Sequence, residues 1–363
     1  MSRIAFFPDY RIANPYQTML YRDLAAAGVE LEGRSGFRPL LRSRIDAAEA
    51  GEDPGVVHLH WTSPILQRVE GPLRAYRVLA EVTGLVEAFK AAGGRLVWTV
   101  HNVISHDAQH LWGEIELGRM LTAHADLVHV MSEATYDATE PYYTIDRSRS
   151  VVIEHPSYVG EYPDWISRAG ARARLGLDDG DRVLIAIGGV RPYKGLDRLL
   201  GAFEELRLAE DRLRLLVAGK PGAQEGIAEL MAELAAAPGV VCRFEHLPDA
   251  ELQVWMRAAD LAVLPYRGIL NSGVLLLAQG YGLPVVAPAV PSLHGLAEEP
   301  HVRLFDPADD ASLLETIRTA IADLVLDPAA RERAGAAARA YAEARPPAAM
   351  SHAFAQAVAP LLD

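Results

Sequence analysis

Three stretches combine glycines, cations, hydroxyls and imidazoles at spacings suited to chemistry. In 186-AIGGVRPYKGLDRLLGAF-203 an apolar run ends at Gly188 and Gly189, and Arg191 and Lys194 project from the turn that follows. Glycine lets the backbone approach a ligand closely. Arginine can grip phosphate oxygens in pairs, and lysine adds a compact charge, so the turn suits a diphosphate. Neither a G-x-G-x-x-G fingerprint nor a P-loop is present, and the same residues also fit a plain glycine turn with solvated charges. In 264-LPYRGILNSGVLLLAQGYGLPVVAP-288 a strand ends at Pro265 and a loop carrying Tyr266 and Asn271 leads into Ser272, Gly273 and Val274. There a helix start offers N–H groups and positive potential to a second phosphate. Ser272 suits a simple N-cap equally well, and Arg267 can pair with a carboxylate instead of a ligand. In 98-WTVHNVISHD-107, His101 and Asn102 stand at a strand end, followed by His106 and Asp107. A strand-end imidazole suits proton transfer or sugar hydroxyls, and equally a capped or core histidine.

These residues need elements to hold them. Short apolar runs at 3–7, 56–61, 95–101, 126–131 and 151–155, and again at 182–189, 213–219, 240–245, 260–266, 284–288 and 302–305, alternate with segments of helical period such as 16–28 and 196–207. Continuous apolar runs of this kind suit parallel strands covered on both faces, so the fold class is α/β, doubly wound. The pattern restarts near 180, after an irregular stretch at 156–167. The expected organisation is therefore two Rossmann-like domains, 1–165 and 166–344, followed by a helix at 345–363 that packs back on the first domain. Two open parallel sheets imply a ligand cleft where strand C-termini face each other. His58 and His60 alternate along one strand and should share a face, as structural residues.

Composition narrows the class. A chain of 363 residues is long enough for two domains and a core without covalent staples. Its one cysteine, Cys242, rules out an intramolecular disulfide and a cysteine-built zinc cluster, and fits a reducing cytoplasm. No apolar run approaches the roughly 20 residues of a membrane span, and the N-terminus does not read as a secretory signal. No H-E-x-x-H occurs, so no metal is expected. The net charge of -13 argues against a nucleic-acid binder. One stretch departs from that acidity: 33-GRSGFRPLLRSR-44 carries Arg34, Arg38, Arg42 and Arg44 with no acid. It reads as a basic loop, either solvated or docking on anionic lipid at the inner face of a membrane.

In this order the segments resemble GT-B glycosyltransferases, with a second half similar to the donor domain of family 4. The turn carrying Gly189, Arg191, Lys194 and Gly195 matches the family's diphosphate-holding turn, and 282-GLPVVA-287 is typical of the same family. The set 14-NPYQTMLYRDL-24, 57-VHLHW-61, 99-TVHNVISHD-107, 190-VRPYKG-195 and 264-LPYRGILNSGVLLLA-278 is similar to the xanthan-type β-mannosyltransferases, which use GDP-mannose and a lipid-diphosphate oligosaccharide. The resemblance implies a GT-B fold and a metal-independent glycosyltransferase of glycan or exopolysaccharide synthesis, with a nucleoside diphosphate sugar as co-substrate and no cofactor. Donor contacts fall to Gly188, Gly189, Arg191, Lys194, Tyr266, Asn271, Ser272, Gly273 and Val274. Acceptor contacts fall to Asn14, Tyr16, His101 and Asn102. The family's pair of glutamates before the G-L-P turn is replaced by Ile269 and Leu277. That departure removes the usual ribose contact, and the narrower resemblance implies inversion at the sugar. An inverting reaction needs a base: His101 and Asp107 are the candidates, with Asp9 behind them. A UDP-sugar-dependent retaining transferase, a nucleotide-sugar epimerase and a non-catalytic sugar-nucleotide binder are the alternatives.

Overall fold

Valine-, isoleucine- and leucine-rich runs pair side by side because each is apolar on both faces and must be covered from both. The computed structural model describes residues 2–106 and 108–362. The first sheet contains β1 (Arg3–Phe7), β2 (Glu30–Gly33), β3 (Val56–Leu59), β4 (Arg95–Thr99), β5 (Leu127–Val130) and β6 (Ser150–Val152). The second contains β7 (Arg182–Ile187), β8 (Leu213–Ala218), β9 (Val240–Arg243), β10 (Leu261–Val263), β11 (Val285–Pro288) and β12 (Val302–Phe305). Both sheets are six-stranded, in the orders β2-β1-β3-β4-β5-β6 and β12-β11-β10-β7-β8-β9. Every pairing is parallel. In each sheet the chain steps to one side of its first strand and then crosses to the other. This reversal, between β1 and β3 and between β7 and β10, opens a crevice at the strand C-termini where open α/β sheets take ligands.

The chain divides into unit 1, Met1–His155 with Pro347–Asp363, and unit 2, Pro156–Pro346. The irregular stretch at 156–165, placed with the first half on sequence, thus belongs to the second. Tyr162 and Ile166 pack against the core of unit 2. Gln253 Oε1 accepts hydrogen bonds from the amides of Trp165 at 2.9 Å and Ile166 at 3.1 Å, and the Tyr281 hydroxyl donates to Pro163 O at 2.8 Å. The helix Pro347–Val358 belongs to unit 1, where Ser351 Oγ accepts from the Asp23 amide at 2.8 Å and Phe354 lies on His58 with ring centroids 5.1 Å apart.

Three local readings are corrected. β2 went unseen because it is an edge strand of sequence ELEG, half-exposed and without an apolar run. The segment 16–28 forms two short helices, Tyr16–Leu20 and Arg22–Ala26, rather than one. The basic segment 33–44 is not a loop: Phe37–Glu49 is a helix that buries Phe37, Leu40, Leu41 and Arg44. Its cations are matched by one acid distant in sequence and one just before the stretch. Arg38 and Arg42 both pair with Glu81, and Arg34 and Arg44 with Glu32.

Unit 2 also contains a buried ion network at the base of β7. The Arg172 guanidinium reaches Asp260 Oδ2 at 2.7 Å and donates to the carbonyls of Ala258, Asp178, Asp179 and Asp181 at 2.9–3.1 Å. Asp260 Oδ2 in turn accepts from the Val183 amide at 2.9 Å, and Oδ1 meets Arg168 at 2.6 Å. Five donor hydrogens in a rigid fork make arginine the residue able to serve so many carbonyls at once. Among the described residues no helix is long and apolar enough to cross a membrane.

Candidate active site

The turn after β7 lies at the switch point of the second sheet and is held from both sides. On one side Gly188 N donates to Ala218 O at 2.9 Å, Val190 N to Lys220 O at 3.0 Å and Gly222 N to Val190 O at 2.9 Å. On the other, Arg267 N in the loop after β10 donates to Tyr193 O at 2.9 Å. Two glycines make this closeness feasible. Gly219 has φ 155°, and a Cβ there would collide with the Gly188 carbonyl; Gly195 has φ 65°, and a Cβ there would strike Pro265 O. From Gly195 the chain enters the helix Leu196–Ala209, whose Leu196, Leu199, Leu200, Phe203 and Leu206 repeat at helical spacing and are buried. Each buried side chain of this size contributes about 1.5–3 kcal/mol, so the turn is braced by a well-anchored helix.

On this frame Gly188, Lys194, Tyr266, Ser272 and Val274 come together. A Cβ built on Gly188 would lie 3.6 Å from Val274 Cγ2 and 3.7 Å from Lys194 Nζ. Lys194 Nζ donates to the Tyr266 hydroxyl at 2.7 Å and sits 3.9 Å from the centre of that ring. Burial pushes the Lys194 ammonium below its ordinary pKa, against the Tyr193 hydroxyl, which favours the charged form. Burial also raises the Tyr266 phenol, against a hydrogen bond with Ser272. Both groups lack the solvation that an incoming oxyanion would replace for the lysine. Ser272 caps the helix Gly273–Gly280, its Oγ accepting from Leu275 N at 3.2 Å, and Gly273 and Val274 form the first turn. Arg191 Nη1 reaches Gln224 Oε1 at 3.3 Å, and Asn271 is half-buried in the loop before the cap. Arg267 stands outside this group, paired with Asp197. Ile269 and Leu277 pack against the apolar core of unit 2, so no carboxylate occupies their places.

In unit 1 the loops after β1, β3 and β4 meet at the corresponding switch point. His101 follows β4, stacks on Trp61 with centroids 4.0 Å apart at 14° and meets the edge of Tyr16 at 5.1 Å. Tyr16 also contacts His155 at 5.1 Å. Burial holds His101 well below the usual histidine range, with His129, His155 and His58 adding to the depression, so the ring is neutral at neutral pH. Asn14 Oδ1 accepts from Tyr16 N at 3.0 Å, a bond that starts the following helix. Asn102 is half-buried beside His101 in sequence. Asp107 lies outside the described residues. Asp9 is a poor base: its carboxylate forms a bidentate pair with Arg11, at 2.9 and 2.8 Å, and this lowers its pKa against a weaker desolvation.

The sequence reading overlooked Tyr21, Thr99, His129 and His155. His58 and His60 do share a face, with ring centroids 4.1 Å apart and both hydrogen-bonded to the Tyr21 hydroxyl at 2.7 Å. The available signal was Thr99 opposite His129 on the neighbouring strand, two residues beyond the position opposite His58, which shows only once β3, β4 and β5 are aligned.

Residues 181–323, most of unit 2 including the turn after β7 and the capped helix, match the family described as glycosyl transferases group 1. Over 308 residues the chain is 28% identical to the GDP-mannose:glycolipid 4-beta-D-mannosyltransferase of Xanthomonas campestris pv. campestris, covering 83% of this chain and 78% of the relative. The chain carries a group 1 glycosyltransferase domain. It is also 32% identical, over 51% of its length and 41% of the relative's, to the D-inositol 3-phosphate glycosyltransferase of Segniliparus rotundus. Its fold is GT-B. The sucrose-phosphate synthase of Thermosynechococcus elongatus superposes with a TM-score of 0.76 at 19% identity, covering 99% of both chains. Anabaena HepE in complex with UDP and glucose gives 0.71 at 18% identity, again over 99% of both. The group 1 match thus falls on the unit that contains Lys194, Arg191 and the Ser272 helix.

Proposed function

We propose that the enzyme transfers mannose from GDP-mannose to a hydroxyl of a glycolipid acceptor, with inversion at the sugar and without a divalent metal. The observation that carries this reading is the convergence of Lys194 Nζ, the glycine face of Gly188 and the start of helix Gly273–Gly280 at the switch point of unit 2. As the bond between C1 and the diphosphate oxygen breaks, its electron pair stays with GDP. Lys194, Arg191 and the backbone N–H groups of Gly273 and Val274 meet that growing charge, and they act most strongly in the transition state. The acceptor oxygen bonds to C1 from the opposite face, turning an α-linked donor into a β-linked product, and its proton passes to His101. The name of the Xanthomonas relative, GDP-mannose:glycolipid 4-beta-D-mannosyltransferase, supports both donor and stereochemistry. So does the apolar character of Ile269 and Leu277, which leaves the family's pair of glutamates without a counterpart. Among the described residues no group of three His, Cys, Asp or Glu side chains is arranged to hold a metal ion. Arg34, Arg38, Arg42 and Arg44, the candidate contacts to an anionic membrane, all face Glu32 or Glu81.

The test is turnover with a panel of GDP-, UDP-, ADP- and TDP-sugars and a lipid-diphosphate oligosaccharide, in the presence of EDTA. A β-mannosylated lipid formed only from GDP-mannose is expected. Preference for a UDP-sugar would replace the donor assignment. An altered donor without acceptor would make the protein an epimerase, and strict metal dependence would overturn the cationic leaving-group site.

A further inference from the structure

A file of polar side chains crosses the core of unit 1 and ends at His101. Its far end is the carbonyl oxygen of Ile153, 3.0 Å from His129 Nε2. A carbonyl only accepts, so His129 bears its proton on Nε2 and its Nδ1 is an acceptor. That Nδ1 lies 3.1 Å from Thr99 Oγ1, which must donate its one proton there. The threonine oxygen therefore accepts from His58 Nε2 at 2.8 Å. His58 Nδ1 then accepts from the Tyr21 hydroxyl at 2.7 Å. Having given its proton away, that hydroxyl accepts from His60 Nε2 at 2.7 Å. His60 Nδ1 finally accepts from His101 Nε2 at 3.2 Å. Each step leaves the next group a single role, provided that every imidazole is neutral. Burial supplies that condition, depressing His58, His60, His101 and His129 alike. Phe354, from the C-terminal helix, covers the middle of the file, stacked on His58 at 5.1 Å and 5.8 Å from His129.

We infer that this file fixes the tautomer of His101, with the proton on Nε2 and the lone pair on Nδ1, and that Tyr21, Thr99 and His129 are positioning residues for the proton transfer made at His101. The tautomer follows from unit 1 alone; its use in transfer rests on the function proposed above. A base whose lone pair moved between its two nitrogens would present it correctly only part of the time. The Ile153 carbonyl, a backbone group that cannot reverse its role, sets the direction for the whole file.

Nitrogen-15 NMR of the histidine rings in the full-length enzyme at neutral pH reads the tautomers directly, with signals assigned by single replacements. In the unaltered protein His58, His60, His101 and His129 are expected as neutral Nε2–H forms; a His101 ring protonated at Nδ1 would overturn the inference. Tyr21→Phe keeps the ring and removes the link, and Thr99→Val keeps the shape and removes the hydroxyl. In both, His101 should show a share of the Nδ1–H form. The kcat should fall by roughly 3- to 100-fold, up to the low end of what a positioned base contributes, with the donor KM unchanged. Thr99→Ser restores the hydroxyl and should restore both readouts. An unchanged His101 signal in both altered proteins would remove the file from tautomer control. A shifted tautomer with unchanged kcat would leave the file in place and overturn instead the assignment of His101 as the base.

Discussion

Lys194 and His101 are both depressed by burial, and the role proposed for each draws on that depression. A desolvated ammonium interacts with a diphosphate in a medium of low effective dielectric, where a charge-assisted hydrogen bond contributes about 1.5–3 kcal/mol. Lys194→Ala should therefore weaken GDP binding by roughly 10- to 150-fold in calorimetry and lower kcat/KM at least as far, with the melting temperature little changed. Near-normal affinity would remove Lys194 from the donor site. A depressed histidine stays unprotonated, and so competent as a base, through the range where an ordinary one titrates. The kcat/KM of the enzyme should hold level as pH falls through about 6.5 and drop only below it. An acid limb centred at or above that value would mean that another group accepts the proton. Both roles were legible in the sequence as candidates, but their surroundings were not: nothing local reveals that Tyr266, Ser272 and Val274 come to meet Lys194.

At the scale of elements, the parallel strands and the helix after the glycine turn were legible because their apolar periodicity is strong. The edge strand β2 and the break in the first helical segment were not, since neither has a run long enough to carry a period. The helix Arg168–Leu175 shows what sequence conceals. It opens unit 2 and is tied to β7 and β10 through Arg172 and Asp260, far apart in sequence and both buried. Replacing Arg172 by Ala should destabilise unit 2 by about 3–5 kcal/mol, because Asp260 loses its buried partner and several carbonyls their donor. Denaturant unfolding followed at Trp165 and Trp255 would measure this, and a change under about 1 kcal/mol would contradict the role given to the network. The basic stretch belongs at this scale too. Four arginines with no acid among them read as a basic loop, yet helix Phe37–Glu49 brings Arg38 and Arg42 to Glu81 on another helix, while Arg34 and Arg44 meet Glu32 of β2, just before the stretch.

Over the whole molecule, buried neutral histidines are concentrated in unit 1. His58, His60, His101 and His129 are all depressed there, His129 to about 4, whereas in unit 2 only His301 among the described residues is so shifted, also to about 4. A group whose folded pKa lies below its unfolded one leaves the unfolded chain with more bound protons, so stability falls as pH drops below about 6.5. The loss continues until the folded pKa is reached, and His129 alone accounts for about 3 kcal/mol by pH 4. Hydrogen exchange between pH 7 and pH 4 should therefore show β3, β4 and β5 losing protection before β7 and β8. Simultaneous loss, or earlier loss in unit 2, would contradict this.

The amino-acid sequence by itself determined the two parallel sheets, the glycine turn with its two cations and the serine-capped helix, because each depends on local periodicity or on residues adjacent in the chain. Only the tertiary structure decided which of those residues act together. Lys194 meets Tyr266 because β10 lies beside β7, and Arg38 and Arg42 of the basic stretch are matched because a distant helix supplies Glu81. The direction of the hydrogen bonds at His101 depends on a carbonyl beyond β6, reached across three neighbouring strands. Such pairings depend on strand order and register, and the chemistry of this enzyme rests on them as much as on its motifs.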